Sequence, residues 1–357
     1  MTRKTKKKIA LFLGSGFSAA LGLPTTTMIR DQLLLAGGST PEEIAQESFV
    51  CATIGEFWKT VFGWCRGAPH PSLEDHFTMI DLAANTGHCL GQAYGPKELR
   101  AIRRMTIHRV FELLRPEASV NPDLDRFLNE LIRHSDVTFV TTNWDLVVER
   151  LLERLGLACN HGEGLFDETG GLLKTEGTPI LKLHGSLDFG YCDSCRALVN
   201  IQGLYGDLKL YLDPNDLKLF PGGEDVATTL PPECVTSCFS CQRRWSGGRL
   251  ATFSYRKDLA PAFLQKTWDE AYHRLRVADQ WLAMGYSLPE ADVEIRQLLK
   301  SAQLAKMRLR SIDVITLPGP KSRYEQFFGA ALGAVEEDGL EAWVQVKATD
   351  YVRAASA

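Results

Sequence analysis

Five short stretches of this chain bring together residue types whose spacing suits chemistry as well as packing. The first is Gly14-Ser15-Gly16-Phe17-Ser18, which follows the apolar run Ile9 to Leu13. Two glycines around one small residue let the backbone turn sharply and let a phosphate approach main-chain N–H groups without meeting a Cβ. Ser18 is placed to begin a helical turn whose N–H groups attract an anion. The ligand this pattern predicts is a nucleotide pyrophosphate. The next glycine falls only at Gly22, so the common Gly-x-Gly-x-x-Gly spacing is missing and a structural tight turn is the competing reading.

Three further stretches place polar residues at the ends of apolar runs. Val137 to Thr141 leads into Thr142-Asn143-Trp144-Asp145, Thr178 to Leu183 into His184-Gly185-Ser186, and Gln280 to Met284 into Gly285-Tyr286-Ser287. Polar groups where parallel strands stop are where open α/β sheets bind ligands. His184 suits acid–base work because an imidazole titrates near neutrality. Asn143 and Asp145 have a second reading as caps of the following helix.

The last stretch is a pair of C-x-x-C motifs, Cys192-Asp193-Ser194-Cys195 and Cys238-Phe239-Ser240-Cys241. Two such pairs give four thiolates the geometry for a tetrahedral zinc ion, with no open position for catalysis. The Gly-, Pro- and Asp-rich segment between them makes a weak core, which a structural zinc would staple. Cys234 either replaces one ligand or stays outside the set. A redox role for either pair is the weaker reading.

The rest of the chain must hold these stretches together. It has 357 residues, 45% hydrophobic and 24% charged, with nine cysteines and a formal net charge of −4. That composition suits a globular protein with a substantial core, and the charge does not indicate nucleic acid as a partner. The basic start, Thr2 to Lys8, lacks the apolar core of a secretory signal, and no apolar run is long enough to span a bilayer. A cytoplasmic location with reduced thiols and no membrane partner is expected. Buried strands are predicted at 9–13, 137–141, 178–183, 280–284 and 311–317, with an edge strand at 342–346. Helices are predicted at 28–36, from Thr40-Pro41, after Asp145 to Leu155, and at 268–277, 292–306 and 324–334. Residues 42–134 read as a mostly helical insertion, closed by a helix from Pro122 to His134. Strands alternating with helices give an α/β fold with a doubly wound parallel sheet. The expected division is one sheet domain from 1–190 and 250–357, with a small zinc-binding module at 191–249.

The order of these motifs resembles the sirtuin family: the glycine turn with Gly22-Leu23-Pro24, then Thr141-Thr142-Asn143-Trp144-Asp145, His184-Gly185-Ser186, the two cysteine pairs, and Gly285-Tyr286-Ser287. The resemblance spans roughly residues 8–320 and implies a Rossmann-like sheet. Its implied substrate is NAD, broken between nicotinamide and ribose. It further implies an NAD site at Gly14, Ser15, Gly16, Ser18, Thr25, Thr26, Gly285 and Ser287. Asn143 and Asp145 are implied near the nicotinamide end, with His184 as general base. Protein-deacylating sirtuins carry Asp-Phe-Arg where this chain has Thr25-Thr26-Thr27. Their Gly-Gly-Leu-Arg-Pro stretch is scarcely kept in Gly247 to Asp258. Ser72-Leu73-Glu74-Asp75, Tyr255-Arg256-Lys257, Gly285 to Asp292 and the large helical insertion look instead like bacterial sirtuin-like proteins of anti-phage defence, which hydrolyse NAD. NAD hydrolysis is therefore the expected activity. Protein deacylation or ADP-ribosyl transfer is the first alternative, and a non-catalytic NAD or ADP-ribose sensor the second. Control by a homo-oligomer or a separate regulatory partner is expected, with residues 42–134 as its contact.

Overall fold

Ile9 to Leu13 form most of β1 (Lys8–Leu13), the central strand of a sheet buried on both faces. The computed structural model describes residues 6–162, 171, 176–191, 195, 198–200, 212–230, 240–242, 262–305 and 311–356. Cys192, Cys234, Cys238 and the stretch from Gly247 to Asp258 lie outside the described residues.

After β1 come α1 (Ser15–Ala19), α2 (Thr26–Gln32), α3 (Pro41–Phe62), α4 (Leu73–Thr86), α5 (Pro96–Leu114) and α6 (Pro122–His134). Next are β2 (Asp136–Thr141), α7 (Val147–Arg154), β3 (Cys159–Asn160) and β4 (Thr178–Lys182). An antiparallel hairpin of β5 (Phe189–Tyr191) and β6 (Leu198–Asn200) precedes the short helices α8 (Pro214–Leu217) and α9 (Gly223–Thr228). The chain ends with α10 (Ala262–Val277), β7 (Gln280–Met284), α11 (Val293–Leu304), β8 (Ile312–Ile315), α12 (Lys321–Phe328), β9 (Leu332–Glu336), α13 (Leu340–Val346) and α14 (Ala348–Ser356).

The main sheet has seven strands in the order β3-β4-β2-β1-β7-β8-β9, and every pairing is parallel. Alternation along β1 sends Ile9, Leu11 and Leu13 to one face and Ala10 and Phe12 to the other. On the first face they meet Phe127 and Leu131 of α6, Leu151 of α7 and Trp343 of α13. On the second they meet Leu275 of α10, Leu298 of α11 and Tyr324 of α12. Helices on both faces make the sheet doubly wound, as expected.

A third core joins α3, α4 and α5 through Trp58, Phe77 and Ile102. Two boundaries differ from the sequence reading. The helix α6 covers the sheet, so the helical layer ends with α5. Leu212, Leu217 and Ala227, expected in the zinc module, pack into that helical core. The Arg104 guanidinium grips Asp216 with two bonds of 2.5 Å. Ala342 to Val346 is also helical rather than an edge strand. Leu340, Trp343 and Val344 are buried at i, i+3 and i+4, the spacing of a helix stripe. The edge strand at that end of the sheet is β9, where the Asp313 carboxylate stands 2.2 Å from any Cβ at Gly333. Helix starts follow the expected chemistry, with Thr40 Oγ1 accepting from Glu43 N (3.2 Å) ahead of Pro41. No helix among the described residues is long and apolar enough to cross a membrane.

His76 sits fully buried in the helical core. Trp58 Nε1 donates to its Nδ1 (2.8 Å), and its Nε2 donates to Thr106 Oγ1 (2.9 Å), whose own hydroxyl donates to Ile102 O (2.9 Å). This pairing needs the neutral ring, and burial pushes its pKa down to about 3. Between the ordinary value near 6.5 and about 3, the unfolded chain holds a proton that the folded chain lacks, so stability falls as pH drops through that window. The thermal midpoint is expected to fall between pH 6.5 and 5. His76→Gln, which keeps one donor and one acceptor, flattens that slope, whereas equal slopes in the two proteins count against the assignment.

Candidate active site

The parallel register aligns four strand ends. Leu13 of β1 lies beside Thr141 of β2 and Met284 of β7, and Thr141 beside Lys182 of β4. The chain leaves β1 toward β2 and β4 on one side and returns to β7 on the other, which opens a crevice at the carboxyl ends. A cleft of about 320 Å³ lies there, lined by Ser15, Ser18, Thr25, Thr26, Asn143, Asp145, His184, Gly285 and Ser287. These residues were expected to form one site, and the fold brings them together.

Gly14 and Gly16 do not line the cleft. Gly14 N donates to Met284 O (3.1 Å) and Gly16 N to Gly285 O (2.8 Å). A Cβ on Gly14 would fall 2.6 Å from Tyr286 Cα, and one on Gly16 2.8 Å from Gly285 O. Gly285 has φ +64°, and its Cβ would fall 2.0 Å from Phe17 N. The three glycines let the turns after β1 and β7 touch through main chain. From the first turn, Ser15 and Ser18 are the residues that reach the cleft.

Asp145 and Ser18 are buried in the cleft wall and bonded to each other. Asp145 Oδ2 accepts from Ser18 Oγ (2.7 Å), and its Oδ1 accepts from Val147 N (3.1 Å) at the start of α7. Asp145 thus satisfies the first N–H of α7 from one residue ahead of its N-cap, Leu146. Asn143 Nδ2 donates to Gly14 O (2.9 Å) and to Ser18 Oγ (3.0 Å). Both amide protons are thus engaged, which leaves Oδ1 as the atom through which Asn143 can meet a ligand, as an acceptor. His184 is 7% exposed on the cleft wall. Its carbonyl accepts from Trp144 Nε1 (3.1 Å), and Gly185 follows at φ +86°, a turn that few other residues make.

The opposite wall runs from Gly285 to Asp292. Tyr286 OH donates to Asp292 Oδ2 (3.0 Å), and Tyr324 OH donates to Tyr286 O (2.7 Å). Burial and the adjacent Asp292 carboxylate push the Tyr286 phenol well above its usual pKa, so it stays a donor. Leu288, fully buried, holds φ +51°, a strained conformation for a branched residue at the cleft edge.

Sequence reading did not single out Arg30, Glu74 or Asp292 as site residues, yet all line the cleft. Arg30 is its one lysine or arginine among the described residues. The available signal was that Thr27 and Arg30 lie one turn apart on a helix that Thr25 caps by accepting from Met28 N (3.3 Å). Of the expected zinc ligands, Cys195 is exposed in the connection between β5 and β6, and Cys241 is half-buried. Cys192 and Cys238 lie outside the described residues. No cluster of three or more potential metal ligands occurs among the described residues.

No protein-family model matches the chain, and no curated protein matches it. Among solved structures, it is similar to a Sir2 enzyme studied for mechanism and regulation, with 16% identity over 98% of this chain and 94% of that one, at a TM-score of 0.48. A Sir2 homologue variant in complex with ADP-ribose gives 17% identity over 98% and 93%, at 0.44. A Sir2 bound to an acetylated peptide gives 12% over 97% and 94%, at 0.45. At this distance the site's chemistry rests on the residues described above.

Gly285→Ala is expected to cost on the order of 1–3 kcal/mol of stability through strain and clash with the first turn. Gly37→Ala, with open space around its Cβ, is the control. Indistinguishable unfolding midpoints for the two variants would show that the turns tolerate separation.

Proposed function

We propose that this chain is a sirtuin-like NAD glycohydrolase that breaks the nicotinamide–ribose bond of NAD to give nicotinamide and ADP-ribose. The observation that carries this reading is the convergence of Ser15, Asn143, His184 and Ser287, from four separate strand ends, on one cleft. Cleavage builds positive charge at the ribose C1′ as neutral nicotinamide leaves with the bonding electrons. A water oxygen then bonds to C1′, and its proton passes to His184 as general base. Asn143 Oδ1 accepts from that water or from a ribose hydroxyl. Asp145 works one step back, holding Ser18 and the start of α7 in place. The hydroxyls of Ser15, Thr25, Thr26 and Ser287 would meet the diphosphate and sugars, with the Arg30 guanidinium, paired with Asp31 at 2.7 Å, as the nearby cation. Because the Gly14 and Gly16 N–H groups are bonded to Met284 at the end of β7 and to Gly285 just after it, phosphate contact falls to side-chain hydroxyls and to Ser15.

Water as the acceptor is supported by the residues that depart from the deacylase pattern, Thr25-Thr26-Thr27, and by those that resemble the NAD-depleting anti-phage proteins. A defence role through NAD depletion follows from the same resemblance, as does control by self-association or a partner on the helical layer. With the purified chain, NAD alone is expected to give nicotinamide and ADP-ribose in equal amounts by chromatography. Release that requires an acetyl-lysine peptide would favour the deacylase, and tight binding with no product would favour a sensor. His184→Ala and Asn143→Ala should each lower turnover at least about 100-fold while leaving the fold intact. Full activity in either removes that residue from the chemistry.

A structural zinc is part of the same proposal. The donor set is four thiolates in two knuckles, and Cys195 lies in a hairpin connection, a place that suits such a knuckle. Elemental analysis is expected to find about one zinc per chain, lost in Cys195→Ser. Metal-free wild-type protein, purified without chelator, would refute it.

A further inference from the structure

Lys182 closes β4 two residues before His184, and it is 1% exposed. An interior ammonium is costly unless its charge is balanced and its donors are used. Here Nζ donates to Asp145 O at 2.5 Å and to Glu149 Oε1 at 2.8 Å, and it lies 3.5 Å from Trp144 O. Glu149, on α7, is itself 3% exposed and supplies the opposing charge.

The segment that Lys182 reaches, Thr142 to Leu146, belongs to no helix or strand. Its shape therefore depends on side-chain and loop bonds. On one side Asn143 and Asp145 tie it to Gly14 and Ser18. On the other, four bonds tie it to the segment carrying His184: Trp144 Nε1 to His184 O (3.1 Å), Leu187 N to Trp144 O (2.9 Å), and Lys182 Nζ to Asp145 O and, at 3.5 Å, to Trp144 O. Only the two from Nζ are charge-assisted, the stronger kind, and the one to Asp145 O is the shorter. The register places Lys182 beside Thr141 at the end of β2, so its four-carbon stem spans the distance to the loop beyond.

We propose that Lys182 is a positioning residue for NAD cleavage: its buried ammonium, balanced by Glu149, fixes the Asp145 carbonyl and thereby sets Asn143 against His184. This rests on the proposed NAD-cleaving activity. Lys182 does not line the cleft, so it acts on the geometry of the reacting groups and not on substrate affinity. A shift of about 1 Å between reacting groups is enough to cost about 100-fold in rate.

The test compares wild type, Lys182→Met, and the double variant Lys182→Met with Glu149→Gln, using nicotinamide release from NAD for kcat and KM and thermal unfolding for stability. Lys182→Met takes the ammonium from Glu149, leaving only His161 Nε2 at 3.9 Å from its Oε1, and is expected to melt lower. The double variant removes both charges and is expected to regain much of that midpoint. In both, kcat should fall about 10- to 100-fold, with KM for NAD held within about 3-fold of wild type. Wild-type kcat in either variant overturns the inference, and so does recovery of kcat together with the midpoint in the double variant, since Lys182 would then serve only to balance Glu149. Failure of both variants to fold also overturns it, by assigning Lys182 to stability. A wild-type chain that releases no nicotinamide overturns the proposed function and this inference together. Wild-type release with unaltered variants overturns this inference alone.

Discussion

At the centre of the sheet, the turn after β1 and the turn after β7 meet through main chain alone. Gly16 N donates to Gly285 O, and no Cβ fits at Gly14, Gly16 or Gly285. This contact sits where the chain changes direction across the sheet, so the crevice begins where these turns separate. It has a chemical consequence as well. Main-chain donors used to join two strands are not available to an anion, and the cleft presents hydroxyls instead, from Ser15, Thr25, Thr26 and Ser287. A glycine turn thus need not be a phosphate cradle to be indispensable to the cleft beside it.

Around that contact the loops are held by polar groups that satisfy one another. A carboxylate taken out of water needs donors. Asp145 has Ser18 Oγ and Val147 N, and Ser18 in turn accepts from Asn143, which also donates to Gly14 O. Each residue is oriented by the next, so loops without regular structure are held as if they were elements. Groups fixed in this way need little rearrangement when charge develops in a bound substrate, which is the physical advantage of a preorganised site.

The helical layer completes the cleft. Ser72, Leu73 and Glu74 at the start of α4, and Leu114 at the end of α5, line one side of it. The layer holds α2 by packing Ile29 and Leu33 into its core and by polar bonds. The buried Arg109 donates to Leu33 O (3.2 Å) and Leu35 O (2.7 Å) just beyond α2 and pairs with Glu47. Desolvation pushes the Glu47 carboxyl up, but His108, bonded to it at 2.6 Å, and Arg109 outweigh that and hold it below its ordinary value. The ion pairs of the helical core are thereby linked to Thr25, Thr26 and Arg30.

What was legible in the sequence follows the range of the forces involved. Apolar runs ending in polar residues reveal strands and their mouths, so Asn143, His184 and Ser287 were found from local pattern. Periodicity reports that a helix has an apolar face and not which core that face meets, which is why α6 was placed with the insertion although it covers the sheet. The short run Ala342 to Val346 fits strand and helix alike, and burial at i, i+3 and i+4 decided for the helix. Glu74 reaches the cleft by tertiary packing, for which no local pattern exists, and Arg30 left only its one-turn spacing from Thr27 as a mark. Lys182 is different, because its signal was present: a charge inside Ile180-Leu181-Lys182-Leu183, where a strand buried on both faces should carry none. A charge in such a run must find both a counter-charge and acceptors in the interior. The counter-charge, Glu149, lies on α7, and the backbone acceptor is the carbonyl of Asp145, in the loop just before that helix. An ionisable residue that interrupts a buried strand near its carboxyl end thus points to the loop it secures, even when it never touches a ligand.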